Sequence, residues 1–160
     1  MNLDEDGFVD PLLESEVLPN LWMGGTDSEE TLTKVRRLHS PSDSRFYDAV
    51  VTLDSNAAPM GWGVKEFRFG FPDAALDPEH ADELERIADW AFVEWKAGCK
   101  VLIRCQAGLN RSGLVTGLVL LRDRKKLDEV LRTIRAARGD FALSNNHFVE
   151  YLSKWKPKRR

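Results

Sequence analysis

The chain has 160 residues, of which 42% are hydrophobic and 31% are charged, and its formal net charge is −3. These values indicate one folded domain with a single core. No stretch approaches the roughly 18 uncharged apolar residues that a membrane span requires. The overall acidity argues against a dedicated nucleic-acid-binding protein.

Strands and helices are predicted to alternate along the chain. The predicted strands are short β-branched or alternating runs at residues 20–24, 48–53, 64–69 and 100–104. The predicted helices lie at 26–38, between Asp77 and Gly98, at 112–121, at 127–139 and at about 144–155. This alternation indicates an α/β fold: a single domain with a central, mostly parallel, twisted sheet of about four to five strands, flanked by helices.

Several helix ends carry recognisable signals. Asp77 followed by Pro78 is typical of an N-cap with proline in the first turn, and Gly98 is typical of a helix end. Ser144 is the predicted cap of the last helix. The run 112–121 is apolar on nearly every side, which predicts a central helix.

Charge is unevenly distributed. The first 30 residues hold nine acidic residues and no Lys or Arg, unlike a secretory signal, so we expect a cytoplasmic protein. Residues 1–18 are predicted to form a loosely held acidic arm, 19–155 the domain, and 156–160 a basic tail. From Arg122 onward, twelve basic residues face five acidic ones, which indicates either a solvated basic face or a surface that attracts anionic substrates or partners.

The two cysteines are predicted to be free thiols. On one strand, Cys99 and Cys105 would lie about 20 Å apart, whereas a disulfide needs α-carbons within about 7 Å. The three histidines and two cysteines show none of the close spacings of zinc ligands. We therefore expect no metal and no cofactor.

The stretch "VLIRCQAGLNRSGLV", residues 101–115, carries the strongest functional signal. Cys105 ends a predicted strand, and a flexible loop leads into a helix, where ligands of α/β folds bind. The backbone amides of Gln106, Ala107, Gly108, Leu109 and Asn110, closed by a helix N-terminus, predict an anion-binding cavity. Gly108 permits backbone angles that a side chain would forbid.

Two side chains complete this predicted phosphate site. Arg111 can offer two parallel donors to a tetrahedral oxyanion. The same positive field favours the thiolate of Cys105, which makes it a nucleophile near neutral pH. A nucleophile beneath a bound phosphoryl group predicts covalent catalysis through a phosphocysteine. Ser112 is expected to donate a hydrogen bond to the sulfur. Asn110 is expected either to brace the loop or simply to suit a turn.

The motif of Cys105, five residues, Arg111 and Ser112 resembles the signature of the cysteine-based protein tyrosine phosphatase superfamily. "CQAGLNRSG" is most similar to the dual-specificity phosphatase branch, as are "VLPNLWMGG", "FYDAVVTL" and "ALSNNHFVEYL", which together cover most of residues 17–153. The resemblance implies a phosphatase fold and a phosphorylated protein as substrate. One position departs from the family: Arg104 stands where a histidine usually precedes the cysteine.

The resemblance also implies an aspartic acid on a loop roughly thirty residues before the cysteine, which protonates the leaving oxygen. Asp73 and Asp77 are both candidates. Asp77 has a sufficient role as a helix cap, whereas Asp73 follows Gly70 and Pro72 in a loop, and "FPD" resembles the family's acid-bearing loop. We therefore predict Asp73 as the general acid, with Asp77 as the alternative.

The leading hypothesis is a phosphoprotein phosphatase of tyrosine or dual specificity. We expect no membrane partner, and the sequence does not indicate an oligomeric state. Alternatives are a catalytically silent phosphate-binding relative, favoured by Arg104, and an RNA 5′-phosphatase, whose loops also carry the pair Asn110–Arg111. Sulfur transfer, as in rhodanese-like domains, fits the position of the arginine less well.

Arg135 and Arg138 are expected to be solvated helix residues, with the pocket mouth as the alternative.

Overall fold

The structure is a computed structural model that describes the backbone of residues 2–3 and 9–10, and residues 13–26, 46–61 and 63–158 in full. The predicted helix at 26–38 lies, apart from Thr26, outside the described residues. The strands are β1 (Asn2–Leu3), β2 (Val9–Asp10), β3 (Glu14–Leu18), β4 (Leu21–Gly24), β5 (Ala49–Thr52), β6 (Lys65–Arg68) and β7 (Val101–Arg104). The helices are α1 (Pro78–Lys96), α2 (Arg111–Arg122), α3 (Leu127–Arg138) and α4 (Asn146–Lys154).

A five-stranded sheet forms the centre of the fold, in the order β3-β4-β7-β5-β6. β4, β7, β5 and β6 run parallel, and β3 pairs antiparallel with β4 at one edge. β1 and β2 form a separate antiparallel pair. The predicted α/β fold with a mostly parallel sheet is confirmed. The sheet also includes Glu14–Leu18, which the sequence assigns to the acidic arm.

β7 occupies the middle of the sheet, and all four of its residues are buried. Its side chains alternate between the two faces, as a strand requires. Val101 and Ile103 join the main core with the helices, whereas Leu102 packs on the other face with Tyr47 and Val50. A strand buried on both faces reads as a continuous apolar run, which is why its sequence predicted it so clearly.

α2 is the central helix, because nine consecutive residues from Ser112 to Leu120 are buried. Its neighbours approach closely: a Cβ atom added at Gly117 would lie 2.9 Å from a terminal carbon of Leu152 on α4. The prediction of a helix that is apolar on nearly every side is therefore confirmed. Glycine here allows α4 to pack against the buried helix without a gap.

α1 begins and ends as predicted. The Asp77 carboxylate accepts a hydrogen bond from the backbone N–H of Glu79 at 2.9 Å, and Pro78 is the first helical residue. Gly98, two residues after the last residue of the helix, has a φ of +97°. No helix in the described ranges has the length and apolar character that crossing a membrane demands.

The cap of α4 differs from the prediction. Asn145, not Ser144, is the N-cap: its side-chain oxygen accepts from the backbone N–H of His147 at 3.0 Å. The Ser144 N–H instead donates to the carbonyl of Phe141, which closes the preceding turn. Serine and asparagine both cap helices well, so the sequence could not distinguish Ser144 from Asn145, and the prediction took the one that comes first in the chain.

Candidate active site

Cys105 lies directly after β7, at the carboxyl edge of the parallel sheet. Its backbone N–H donates to the Gly24 carbonyl at 3.1 Å, which extends the pairing of β7 with β4 by one residue. The residue is only 2% exposed, and its Sγ atom lies 3.2 Å from the Oγ atom of Ser112 on α2. The buried sulfur thus has a hydroxyl partner on α2.

The carbonyl groups of the loop after Cys105 are held by the surrounding protein. The Gln106 carbonyl accepts from the Thr26 N–H at 2.7 Å, and the Leu109 carbonyl accepts from the Leu143 N–H at 3.2 Å. The guanidinium of Arg138 on α3 donates to the other two carbonyls, those of Ala107 at 3.4 Å and Gly108 at 3.0 Å. Four successive peptide oxygens are therefore drawn towards neighbouring elements.

The amide hydrogens of the same four peptides point the opposite way, because C=O and N–H are antiparallel in a trans peptide. They belong to Ala107, Gly108, Leu109 and Asn110. None of them donates to a backbone carbonyl within the part of the chain that the structure describes. Successive N–H groups that face away from the surrounding elements, next to a helix N-terminus, form a concavity that suits an anion.

Gly108 makes this loop geometry possible. Its φ is +74°, and an added Cβ atom would lie 2.6 Å from the Gly24 carbonyl carbon and 2.7 Å from Nη2 of Arg138. Both the backbone angle and the close approach exclude a side chain. The sequence-based expectation for this glycine is confirmed.

Arg111 is the first residue of α2 and is partly buried. Its Nη1 atom donates to the backbone carbonyl of Phe71 at 3.0 Å. Phe71 lies on the segment that carries Asp73, so the guanidinium connects residues 105–110, the predicted nucleophile loop, with the predicted acid loop. This contact uses one of the five N–H groups of the guanidinium.

Asp73 also lies against the nucleophile loop. Its two carboxylate oxygens accept from the side-chain amides of Asn145 at 2.7 Å and Asn110 at 3.1 Å. The side-chain oxygen of Asn110 in turn accepts from the Asn145 backbone N–H at 3.0 Å. The Asn110 side chain therefore braces the loop. Asp77, the alternative acid, is engaged at the N-terminus of α1.

Arg104, which stands in the place of the family's histidine, is fully buried on the face of the sheet that carries Leu102. Its guanidinium donates to the Thr52 hydroxyl at 2.9 Å and the Ala58 carbonyl at 2.7 Å, and lies 3.3 Å from the Glu66 carboxylate. Burial raises the pKa of Glu66, but hydrogen bonds from the Thr52 hydroxyl and the Met60 backbone N–H, together with the charges of Arg104 and Arg68, outweigh it, so the pKa lies below its ordinary value. The positive charge of Arg104 is thus paired on the opposite side of β7 from the main core that includes Cys105.

Arg135 and Arg138 are half-buried and donate to backbone carbonyls, which corrects the preferred prediction that both are solvated helix residues. Arg135 donates to the carbonyls of Ala142 and Leu143, the turn before α4. Arg138 supports the nucleophile loop and also donates to Ser15 on β3 at 3.1 Å. Burial lowers the pKa of Arg138, and the negative charges near it act in the opposite direction.

Sequence reasoning missed Asn145, and it placed Arg138 near the pocket only as the alternative. The only signal for Asn145 was its position beside the predicted cap.

Cys99 and Cys105 are both free thiols, as predicted. In the described ranges, no group of three or more His, Cys, Asp or Glu side chains could hold a metal ion.

No protein-family model and no curated protein sequence matches the chain. Solved structures do. A mouse protein described as a dual specificity phosphatase, complexed with zinc tungstate, superposes with a TM-score of 0.72 over 92% of this chain and 88% of its own, at 24% identity. Human DUSP28 superposes with a TM-score of 0.69 over 91% and 95% of the two chains, at 20% identity.

The chain has the dual-specificity phosphatase fold. Tk-PTP in its active form, at 23% identity, also superposes with a TM-score of 0.67 over 89% of this chain and 97% of its own. The relatives are matched over nearly their full length, so the dual-specificity phosphatase fold accounts for the sheet and for the helices around it. The predicted superfamily is therefore confirmed at the level of the fold.

Proposed function

We propose that the chain is a phosphoprotein phosphatase of tyrosine or dual specificity, which hydrolyses phosphomonoesters through a phosphocysteine. The observation that carries this proposal is the loop from Gln106 to Asn110: its carbonyls are held by the surrounding protein and its N–H groups face away from them, beside a buried thiol. Such a loop stabilises an oxyanion without any rearrangement at the moment of reaction.

In the first step, the Cys105 thiolate attacks phosphorus, the S–P bond forms and the P–O bond of the ester breaks. The loop amides and Arg111 hold the nonbridging oxygens. Asp73 gives its proton to the leaving oxygen, because an alkoxide or phenoxide departs slowly without one. The contacts of Asp73 with Asn110 and Asn145, at the same loop, support this assignment.

In the second step, Asp73 takes a proton from water, and the resulting oxygen nucleophile attacks the phosphocysteine. The S–P bond breaks, inorganic phosphate leaves and the thiolate is restored. A hydrogen bond from Ser112 would stabilise the negative charge on the leaving sulfur. The 3.2 Å separation of the two side-chain atoms supports this role.

Aryl phosphates with good and poor leaving groups test the mechanism. We expect Cys105→Ser to abolish hydrolysis, and Asp73→Ala to lower kcat about 100-fold or more on the poor leaving group. Asp77→Ala should lower stability by about 1 kcal/mol, the cost of a lost cap, and keep kcat. Undiminished hydrolysis by Cys105→Ser would refute the proposal, and a large loss of kcat in Asp77→Ala alone would reverse the assignment of the acid.

The second candidate is a catalytically silent phosphate-binding module, which Arg104 favours. In that case wild-type protein would bind vanadate or a phosphopeptide but release no phosphate from any aryl phosphate. RNA with a 5′-phosphate belongs in the same panel of substrates. Faster turnover of that RNA than of phosphopeptides would replace the proposed substrate class while keeping the chemistry.

A further inference from the structure

A basic groove lies at the end of α2 remote from Cys105. α2 starts at Arg111, beside the nucleophile loop, and ends at Arg122. At 1.5 Å per residue these ends are about 17 Å apart. The groove, which encloses about 1100 Å³, runs between α1, this end of α2, and α4 with the residues that follow it. We refer to it as the distal groove.

The floor of the distal groove is held together by the Glu85 carboxylate of α1. It accepts from the Tyr151 hydroxyl at 2.6 Å, from Nη2 of Arg122 at 2.6 Å and from Nε1 of Trp155 at 3.2 Å. The guanidinium carbon of Arg122 lies 5.4 Å from the centre of the Trp155 ring. Trp155 thereby fixes the chain after α4, and Lys156, which follows it, lines the groove.

The rim of the distal groove carries a positive excess. Six of its lining side chains are cationic and two are carboxylates. Of these carboxylates, Glu85 is already neutralised by Arg122. Arg124, Lys156 and Lys158 are exposed on the rim and form no salt bridge with any residue that the structure describes. A cleft with one sign of charge concentrates ligands of the opposite sign.

The aromatic rings of the distal groove indicate which anion fits. Single-stranded nucleic acid binds through bases that stack on accessible ring faces. Here the Arg122 guanidinium lies over Trp155, and Lys96 lies 6.0 Å from the centre of the Phe92 ring. The hydroxyl of Tyr151 is bound to Glu85. These contacts favour a peptide with acidic side chains, which needs point charges on a rim rather than stacking platforms.

We propose that the distal groove binds an acidic segment of the phosphoprotein substrate and so selects among phosphoproteins. This inference rests on the proposed phosphatase function. An extended peptide spans at most about 3.5 Å per residue, so at least five residues must separate the phosphorylated residue from the acidic segment. Because the peptide follows the surface rather than the helix axis, about ten intervening residues suit the site.

Two phosphopeptides test the proposal. Both carry the same phosphorylated segment and a tract of four glutamates, joined by a Gly/Ser linker of ten residues in one and two residues in the other. We expect the long-linker peptide to have a KM about 10-fold lower at low salt, with the same kcat. The difference should shrink at high salt, because exposed charges are screened.

A pair of charge-matched variants locates the effect. Lys156→Glu with Lys158→Glu should abolish the KM advantage of the long-linker peptide. Arg86→Glu with Arg132→Glu changes the net charge equally at exposed sites on α1 and α3, outside the groove lining, and should preserve it. Equal losses in both variants, or equal KM values for the two peptides, would overturn the proposal.

Separate readouts distinguish failure of the groove from failure of the function. Hydrolysis of a small aryl phosphate reports on the Cys105 site without the distal groove and should be unchanged in both variants. Fluorescence anisotropy of an unphosphorylated, labelled acidic peptide reports on the groove whether or not the protein is an enzyme. Displacement of that peptide by single-stranded RNA at a 10-fold lower concentration than by unlabelled peptide would assign the groove to nucleic acid and refute the inference.

Discussion

At the scale of single residues, Arg104 carries a fully buried charge that is paired with the Glu66 carboxylate, which also pairs with Arg68. Its partners Thr52, Ala58 and Glu66 come from β5, β6 and the loop between them. A buried ion pair contributes little compared with an apolar pair of the same shape, but removing one partner is costly. Arg104 therefore holds the loop after β5 against β7, whereas the positive field at the loop after Cys105 comes from Arg111 and the loop's own amides.

The first prediction concerns Arg104→Met. We expect a loss of about 3 kcal/mol in the free energy of unfolding, since the Glu66 carboxylate loses a charged partner in a largely buried place. Urea unfolding measures this loss. Arg132→Met, at a side chain that is 75% exposed, is the matched control and should change stability little. A loss for Arg104→Met no larger than that of the control would show that the buried pair is not structural.

At the scale of elements, the candidate site joins three segments that are far apart in sequence. Asn145 caps α4 and also donates to Asp73, and Asn110 links both to the loop that begins α2. The position of the predicted acid is thus set by the start of a helix that follows it by some seventy residues. Packing of α4 against α2 therefore helps to fix the position of the predicted acid.

Replacing Asn145 with serine separates its two roles. Serine still caps α4, so stability should change by less than about 1 kcal/mol, but its side chain is too short to reach Asp73. We expect kcat to fall about 10-fold for a phosphate ester with a poor leaving group, and much less for one with a good leaving group. Asn146→Ser is the matched control on the exposed neighbour. Equal losses for both leaving groups would show that Asn145 acts on the loop rather than on the acid.

The same contacts explain what could be predicted from the sequence. Cys105, Gly108 and Arg111 lie on one continuous strand–loop–helix unit, so local pattern and chemistry were sufficient to identify them. Arg138 and Asn145 act across 30 and 72 positions, respectively. Their roles depend on how α3 and α4 dock, and an arginine in a last helical turn or an asparagine at a cap looks the same in sequence when it faces solvent.

At the scale of the whole molecule, the parallel strands were predictable because β4, β5 and β7 are short, largely apolar runs and β6 lies in a stretch of alternating residues. β3 was not, since "ESEVL" is mostly polar and sits at the edge of the sheet. Its place depends on tertiary contacts: the Glu14 carboxylate accepts a hydrogen bond from the buried Tyr47 hydroxyl, and Arg138 reaches Ser15. Burial and the charge of Glu14 raise the pKa of Tyr47, so this phenol stays protonated in the folded protein.

Acid stability is a property of the whole molecule and depends in part on Glu85. Burial, which raises its pKa, is outweighed by hydrogen bonds from Tyr151, Arg122 and Trp155, so the pKa lies below the ordinary value of 4.5. A carboxyl whose pKa is lower in the folded state stabilises the fold above its unfolded pKa, and this stabilisation is lost as pH falls through the folded pKa.

We therefore expect the melting temperature of the wild-type protein to fall more steeply below about pH 4.5 than that of Glu85→Gln. At neutral pH the variant should be the less stable of the two. Thermal unfolding between pH 7 and pH 3 measures both effects. Glu129→Gln, at an exposed carboxylate on α3, should follow the wild-type curve, and parallel curves for all three proteins would contradict the prediction.

The hydrogen bond from Arg138 to the Gly108 carbonyl affects the electrostatic potential inside the predicted anion cavity. The peptide after Gly108 keeps its oxygen outward because this one guanidinium binds it. Glycine can adopt mirror-image backbone angles at little cost, so a protein without that grip can rotate this peptide by half a turn. Rotation would aim a carbonyl oxygen at the incoming phosphate. Arg138, which is distant in sequence but in contact with the loop, thus decides whether the peptide after Gly108 attracts an anion through its N–H group or repels it through its carbonyl oxygen.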